Sequence, residues 1–200
     1  MNQITQTSPD VATVHNFSST DDAQWAGTMT LDPKGLLPLK QHARNDIYVI
    51  EGSLINAHRR YLKDTFIGVG EQSASEPLWA GPDGARLFIY CDQFAVAGEN
   101  DIVAPHERMW RQGGAEGIQV AQLPSHTHSL MLVHWQAGAR MGFHRHPHGE
   151  EIFVLTGELK DQRGHYPAGT WQRLYADTGH APYVEQETMI LLRNGHLRDQ

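Results

Sequence analysis

The chain has 200 residues, of which 40% are hydrophobic and one is cysteine, and its formal net charge is −7. This length allows one large domain or two small ones. The acidic balance argues against nucleic acid as a partner, because duplex binding needs a basic face. No signal peptide or apolar run of roughly 20 residues is visible, and the lone Cys91 excludes an intrachain disulfide. We therefore expect a soluble cytoplasmic protein that does not contact the membrane.

Short segments rich in branched and aromatic residues predict an all-β fold. Gly, Pro, Asp or Asn separates these segments, and no stretch carries the long apolar stripe of a helix. Many short strands with regular turns are typical of a sandwich or barrel. The predicted strands include, in chain order, Ile47–Ile50, Arg86–Tyr90, Ile118–Leu123, Leu130–Trp135, Ile152–Leu155 and Met189–Arg193.

The sequence repeats itself at an offset of 105 residues, which places Gly52 on Gly157. Seven identities fall in the 31 ungapped pairs that begin at residue 47 and end at residue 77, whereas ordinary residue usage gives about two. A fixed period of this length predicts two copies of one domain. The predicted organisation is a loose leader at 1–20, a first copy at 21–97, a polar, glycine-rich linker at 98–117 and a second copy at 118–200.

A histidine-rich segment in the second copy has the spacing of a metal site. Residues two apart in a β-strand share a face, so His144 and His146 can converge on one ion. The segment Pro147–Gly149 predicts a tight corner, after which Glu150 begins a returning strand beside the histidines. Neutral imidazoles and a carboxylate suit Zn, Fe, Mn, Ni or Cu.

The residues of this segment resemble a known family signature. Gly138, His144, His146, Glu150 and Gly157 match the first signature of the cupin superfamily, G-x5-H-x-H-x3-E-x6-G, at every interval. Matches at all of these intervals are much more specific than an isolated pair of histidines.

The sequence that follows resembles one branch of that superfamily. Residues 167–169 give the Pro-x-Gly of the second cupin signature, and His180 is the next histidine, after a longer gap than in the commonest form. The residues around His180 are similar to the zinc-binding cupin domain of ChrR-type anti-sigma factors and their stand-alone relatives, most clearly over 118–197. The resemblance implies two tandem cupin domains of double-stranded β-helix, or jelly-roll, form, with His180 as the fourth metal ligand.

The first copy lacks these ligands and is therefore predicted to be degenerate. The four ligand positions are occupied there, at the same offset, by Leu39, Gln41, Asn45 and Ser75. We expect one metal site, in the second copy, and a first copy that is a structural half or a lid.

Three neighbouring residues have two interpretations each. His134 interrupts an apolar strand; it is a catalytic acid or base if its face lines the barrel, and a partly buried histidine on the outside of the sheet otherwise. His148 lies in the turn between ligands and is expected to be exposed rather than a ligand. Glu151 could replace Glu150, but the interval to the following glycine favours Glu150, which places Glu151 on the outer face.

The resemblance implies one divalent metal ion per chain, Zn, Fe or Mn, with Ni also possible. The first hypothesis is a metal-dependent oxidoreductase, most simply dioxygenase-like, or an isomerase or decarboxylase, acting on a small molecule. The second is a non-enzymatic sensor of a small molecule or oxidant, and the third is a purely structural zinc site. A homodimer formed through barrel edges is expected.

Overall fold

The computed structural model describes residues 4–8, 12–18, 24–40, 42–70, 76–92, 100–125, 128–195 and 197. The chain divides into two units, Met1–Glu107 and Arg108–Gln200. Both are built from antiparallel strands, and the all-β prediction is confirmed. No helix long and apolar enough to cross a membrane occurs within these described ranges.

The strands of unit 1 form one antiparallel sheet in the order β1-β2-β3-β7-β4-β6-β8, with β5 paired to β4. Their alternate residues point inward to a core that includes Ile47, Val49, Leu87 and Ile89. The strands of unit 1 are β1 (Ile4–Ser8), β2 (Ala12–Asn16), β3 (Gln24–Leu31), β4 (Arg44–Ile55), β5 (Arg60–Leu62), β6 (Phe66–Val69), β7 (Trp79–Asp92) and β8 (Asp101–Val103).

Unit 2 has a six-stranded sheet in the order β16-β13-β18-β11-β10-β9 and two small ladders, β12-β17 and β14-β15. Its core includes Val133, Ile152, Val154 and Ile190. The strands of unit 2 are β9 (Trp110–Gln112), β10 (Ile118–Leu123), β11 (Ser129–Trp135), β12 (His144–Arg145), β13 (Glu150–Thr156), β14 (Glu158–Asp161), β15 (Gly164–Pro167), β16 (Trp171–Leu174), β17 (Gly179–His180) and β18 (Thr188–Asn194). All six strands predicted from the sequence are present.

The two sheets share one topology. The order β1-β2-β3-β7-β4-β6 in unit 1 corresponds strand for strand to β9-β10-β11-β18-β13-β16 in unit 2. The β4–β7 ladder shifts register after Val49, and the β13–β18 ladder shifts after Val154. The backbone N–H groups of these two valines donate to Thr65 O and Thr170 O respectively, each at 3.0 Å. The valine pair and the threonine pair both lie at the offset of 105 residues seen in the sequence.

A glycine follows each register shift because the backbone needs it. Gly52 has φ +70° and Gly157 has φ +77°, in the left-handed region that L side chains rarely adopt. A Cβ at Gly52 would also overlap Gly84 O, and a Cβ at Gly157 would overlap Glu187 O. The sheets can therefore close at these positions only around a residue without a side chain.

The termini of the predicted domains differ from expectation. Within the predicted leader, 4–8 and 12–16 are strands that extend the unit 1 sheet. The predicted linker contributes β8 to unit 1 and β9 to unit 2. Val14 and Ile102 pack against the unit 1 core, which explains why these polar segments still form strands.

Each unit also buries an ion pair that involves matching sheet positions. In unit 1, Arg44 is 1% exposed, and its Nε lies 2.7 Å from Asp46 Oδ1. In unit 2, the corresponding carboxylate is Glu151, which is fully buried, and Arg173 Nε donates to its Oε1 at 2.6 Å. Gly68 occupies the position of Arg173 in unit 1, and a Cβ there would overlap the guanidinium of Arg44.

Candidate metal centre

One short ladder and one corner bring the predicted ligands together. His144 in β12 is directly opposite His180 in β17. The corner after His146 turns through Gly149, which has φ +70° and donates its N–H to His146 O at 3.1 Å. Glu150 follows as the first residue of β13, so the chain returns beside the histidines as the sequence predicted.

The three histidines form a cluster that could hold a metal ion, with one ring nitrogen from each of His144, His146 and His180 within 4.8 Å of the others. His146 Nε2 and His180 Nε2 are 3.2 Å apart. Glu150 Oε2 lies 3.3 Å from His146 Nε2 and 3.5 Å from His180 Nε2. Thus Glu150 contacts two members of the cluster.

The spacing and chemistry of these donors fit a metal ion. Two atoms that each lie about 2.1 Å from one ion are about 3.0–3.4 Å apart in octahedral or tetrahedral arrangements, close to the distances found here. Glu150 is 3% exposed, and its Oε2 has no hydrogen-bond partner among the described residues. A buried carboxylate oxygen normally has a partner, and a cation between it and the imidazoles would satisfy it.

Burial sets the protonation of the cluster. Burial, with a smaller contribution from His144, lowers the pKa of His146 to about 4. Burial and the two other histidines lower the pKa of His180 to about 4. Burial raises the pKa of Glu150 to about 8. At neutral pH the two imidazoles are therefore uncharged with lone pairs available, and Glu150 keeps its proton until a cation replaces it.

Two of the histidines are oriented through their other ring nitrogen. His144 Nδ1 lies 2.9 Å from Gly142 O, and a carbonyl only accepts, so Nδ1 carries the proton and Nε2 keeps the lone pair. His180 Nδ1 lies 3.6 Å from Asp161 Oδ2, slightly beyond hydrogen-bond distance, and the two side chains are 2% and 1% exposed. Carboxylates in this position commonly fix the ring of a metal-binding histidine.

Asp161 is itself held in place by the β14–β15 hairpin. Its Oδ1 accepts hydrogen bonds from Arg163 N at 2.7 Å and from the Tyr166 hydroxyl at 3.0 Å. Burial and the interaction with Asp161 raise the pKa of Tyr166 to about 12, which keeps the hydroxyl a donor. The Arg163 guanidinium donates to Gly179 O at 2.5 Å, so the same hairpin also positions the strand that carries His180.

A cavity of about 320 Å³ opens onto the cluster. Its walls are mostly apolar and come mainly from the inward residues of the six-stranded sheet. All four predicted ligands line it, together with Trp135 and Asn194. The site therefore combines polar donors at one end with an apolar chamber, which is the usual composition of a small-molecule site.

The catalytic role predicted for His134 is corrected by the structure. The cavity is lined from β11 by Met131, Val133 and Trp135, whereas His134 projects from the opposite face of that strand. His134 Nε2 lies 2.9 Å from Glu187 Oε1 there. The residue is thus a partly buried histidine outside the barrel, the alternative interpretation of the sequence.

The structure also locates His148 and Glu151, the two other residues with alternative interpretations. His148 is exposed in the corner between the ligands. Glu151 lies on the face of β13 opposite Glu150. It is fully buried rather than facing solvent, and its carboxylate pairs with Arg173. The sequence analysis did not identify Asp161 or Trp135. The turn from Asp161 to Gly164 can be recognised in the sequence, but its proximity to His180 cannot.

Unit 1 has a cavity at the corresponding place, and its lining within the described part of the chain contains no His, Cys, Asp or Glu. Leu39 and Asn45 line it at the positions of His144 and Glu150. The Asn45 side chain is bound to the chain itself, since its Nδ2 donates to Lys40 O at 2.9 Å. Gln41 and Ser75, the two other predicted equivalents, lie outside the described residues.

A fold of this topology with a histidine cluster at the mouth of the barrel defines a cupin. Residues 99–198 match the ChrR cupin-like domain, and the chain belongs to that cupin family. No curated protein matches the sequence.

Solved structures share the fold at low sequence identity. A protein from Pseudomonas aeruginosa, provisionally described as glyoxylate-induced, aligns with a TM-score of 0.80 and 14% identity over 98% of this chain and 85% of its own. A protein from Nostoc punctiforme, provisionally described as a dioxygenase, aligns with a TM-score of 0.74 and 12% identity over 94% of this chain and 75% of its own. Oxalate decarboxylase of Bacillus subtilis, for which Mn(II) centres are described, aligns with a TM-score of 0.70 and 14% identity over 100% of this chain and 76% of its own.

Proposed function

We propose that the chain is a bicupin whose second domain binds one divalent metal ion through His144, His146, Glu150 and His180 and acts on a small organic molecule. The first domain keeps the scaffold and lacks the metal. The observation that carries the proposal is the convergence of three imidazoles and one buried carboxylate at the end of an apolar cavity.

The proposed activity is dioxygenase-like. A bound divalent metal would supply Lewis acidity and, if it is redox-active, electron transfer. The chain's own residues do the rest: Gly142 O and Asp161 orient the imidazoles, Glu150 supplies negative charge, and the apolar wall excludes water from the substrate. The protein provisionally described as a dioxygenase and the oxalate decarboxylase, which have the same fold, support this class of chemistry.

The Mn(II) centres of oxalate decarboxylase support a divalent ion, and Zn, Fe, Mn and Ni all suit these donors. The family match to the ChrR cupin-like domain favours one alternative, a metal-containing sensor that binds a small molecule without turnover. A purely structural zinc ion is the third hypothesis. The cytoplasmic location and the homodimer stay predictions from the sequence.

Metal analysis of the purified protein tests the proposal. We expect about one metal ion per chain, and His146→Ala should remove it because the other donors cannot close the site. His148→Ala is the matched control, since His148 lies in the same corner but is exposed, and it should keep the ion. Full occupancy in His146→Ala would contradict the ligand set.

The nature of the ion and its response to chelation separate the three roles. Oxygen consumption or product formation with Fe or Mn bound supports the enzyme. Ligand binding without turnover supports the sensor. Zinc that a chelator removes only together with loss of the fold supports the structural site.

A further inference from the structure

The cavity of unit 2 has a polar end at the histidine cluster and an apolar middle, and it is also lined by Trp135. Its middle is lined by Ile118, Val120, Met131, Val133, Ile190 and Leu192. At about 30 Å³ for each water-sized group, a volume of about 320 Å³ holds about ten non-hydrogen atoms. The middle of the chamber therefore favours a hydrocarbon segment rather than a small, fully polar molecule.

The positions of the histidine cluster and of Trp135 along the cavity are defined by the register of β18. Asn194, at one end of β18, is opposite Glu150, so the histidine cluster lies at this end. Thr188, at the other end of β18, is opposite Trp135. Trp135 lines the cavity and is 3% exposed, and its Nε1 has no hydrogen-bond acceptor within the described part of the chain. A buried indole N–H normally finds an acceptor.

The charges limit the head group of the ligand. A divalent ion bound by one carboxylate and three neutral imidazoles forms a coordination sphere with a net charge of about +1, which suits one anionic head. Arg145 is the cationic side chain among the described lining residues. Its Nη1 donates to Asp177 O at 2.8 Å and its guanidinium lies 5.7 Å from the Phe143 ring centroid, so it is held at the exposed rim. Among the described lining residues, no Lys or other Arg would pair with a second anionic group.

We propose that the ligand is an elongated organic monoanion of about ten non-hydrogen atoms, and that Trp135 selects it by donating a hydrogen bond to an acceptor at the end remote from its anionic head. The hydrocarbon middle packs between the inward residues of the sheet. This inference rests on the proposed function for the position of the anionic head, but the role of Trp135 depends only on the cavity.

Three carboxylates test the inference by calorimetry on the zinc-loaded full chain. Acetate represents the carboxylate head alone, and octanoate adds the hydrocarbon middle. The third probe, 6-oxoheptanoate, has the same number of non-hydrogen atoms as octanoate but carries a carbonyl acceptor remote from the carboxylate. Octanoate should bind at least about a hundredfold more tightly than acetate because of the buried methylenes. Trp135→Phe should weaken 6-oxoheptanoate about fivefold more than octanoate, the value of one hydrogen bond, because both ligands lose the same ring contact and only the first loses the donor.

Binding of octanoate shows that Trp135→Phe is folded. Trp110→Phe is the matched control variant, because Trp110 lies outside the cavity and packs against His134, with ring centroids 6.2 Å apart. The wild type gives a second measurement: one indole N–H resonance should move with 6-oxoheptanoate and not with octanoate. Equal affinity for acetate and octanoate, or an unmoved set of indole resonances, would overturn the inference.

The zinc content of the same samples separates the two proposals. Absence of zinc would contradict the proposed function. The effect of Trp135→Phe on the affinity for 6-oxoheptanoate would still test the role of Trp135. One zinc per chain without discrimination among the three carboxylates would leave the metal centre intact and reject the ligand class.

Discussion

The cavities of the two units show how one scaffold can carry or lack a metal centre. They measure about 230 Å³ in unit 1 and about 320 Å³ in unit 2 and are lined at corresponding sheet positions, such as Met29 and Val133. At the position of the buried carboxylate Glu150, unit 1 has Asn45, whose amide Nδ2 donates to Lys40 O at 2.9 Å. The two units thus share the backbone features of the sheet, whereas they differ in the side chains that could bind a metal ion.

Replacement of Glu150 should give the largest effect, because it makes unit 2 resemble unit 1 at one ligand position. We expect Glu150→Gln to weaken metal binding by at least about a hundredfold, since loss of a direct ligand exceeds the about 10–100-fold effect of an outer partner. Competition titration against a chelator measures this. Glu187→Gln, which alters an exposed carboxylate of the same unit, should change the metal affinity less than twofold, and equal effects of the two changes would contradict the assignment.

The shared backbone should respond alike in both units. Gly52→Ala and Gly157→Ala should each lower the free energy of unfolding of their own unit by more than about 2 kcal/mol, because a Cβ strains the left-handed backbone and overlaps a facing carbonyl. Urea denaturation measures the loss.

Gly138→Ala is the control for this pair. Gly138 has φ +83° but nothing within 4 Å of the position of a Cβ, so only the conformational cost of about 1 kcal/mol is expected. A large loss of unfolding free energy in one unit and none in the other would show that only one unit requires glycine at this position.

A smaller effect is expected at Asp161, which touches a ligand rather than the ion. Asp161→Asn should weaken metal binding about 10- to 100-fold, since the amide holds the His180 ring less well than the carboxylate. The same titration measures it, with a thermal melt of the metal-free protein as the control for stability. If the variant bound metal normally, the contact with His180 would have no orienting role.

The strands and the metal motif could be predicted because their signals are local. Branched residues mark the central strands, and the spacing from His144 to Glu150 fits a strand, a corner and a second strand. His134 could not be placed from the sequence because both faces of β11 are apolar. Leu130 and Leu132, on its own face, are 1% and 0% exposed, so alternation carries no information about which face lines the cavity.

Other features depended on contacts between distant parts of the chain. Asp161 reaches His180 only because the β14–β15 hairpin folds against β17. The strands at the termini of the predicted domains are short and polar, and their weak pattern resembles that of a loop. Only the packing of residues such as Val14 against the core distinguishes them.

The buried ion pairs have a consequence for how the two units could diverge. Asp46 and Glu151 correspond, yet the nearest guanidinium comes from Arg44 in one unit and from Arg173 in the other. Since a Cβ at Gly68 would overlap the guanidinium of Arg44, a side chain at that position would displace Arg44 from its present place. In unit 2 the Arg193 guanidinium also lies 3.8 Å from Glu151, so the buried acid there has a second cation close by. Exchange of one arrangement for the other therefore involves coordinated changes at positions that are distant in the sequence.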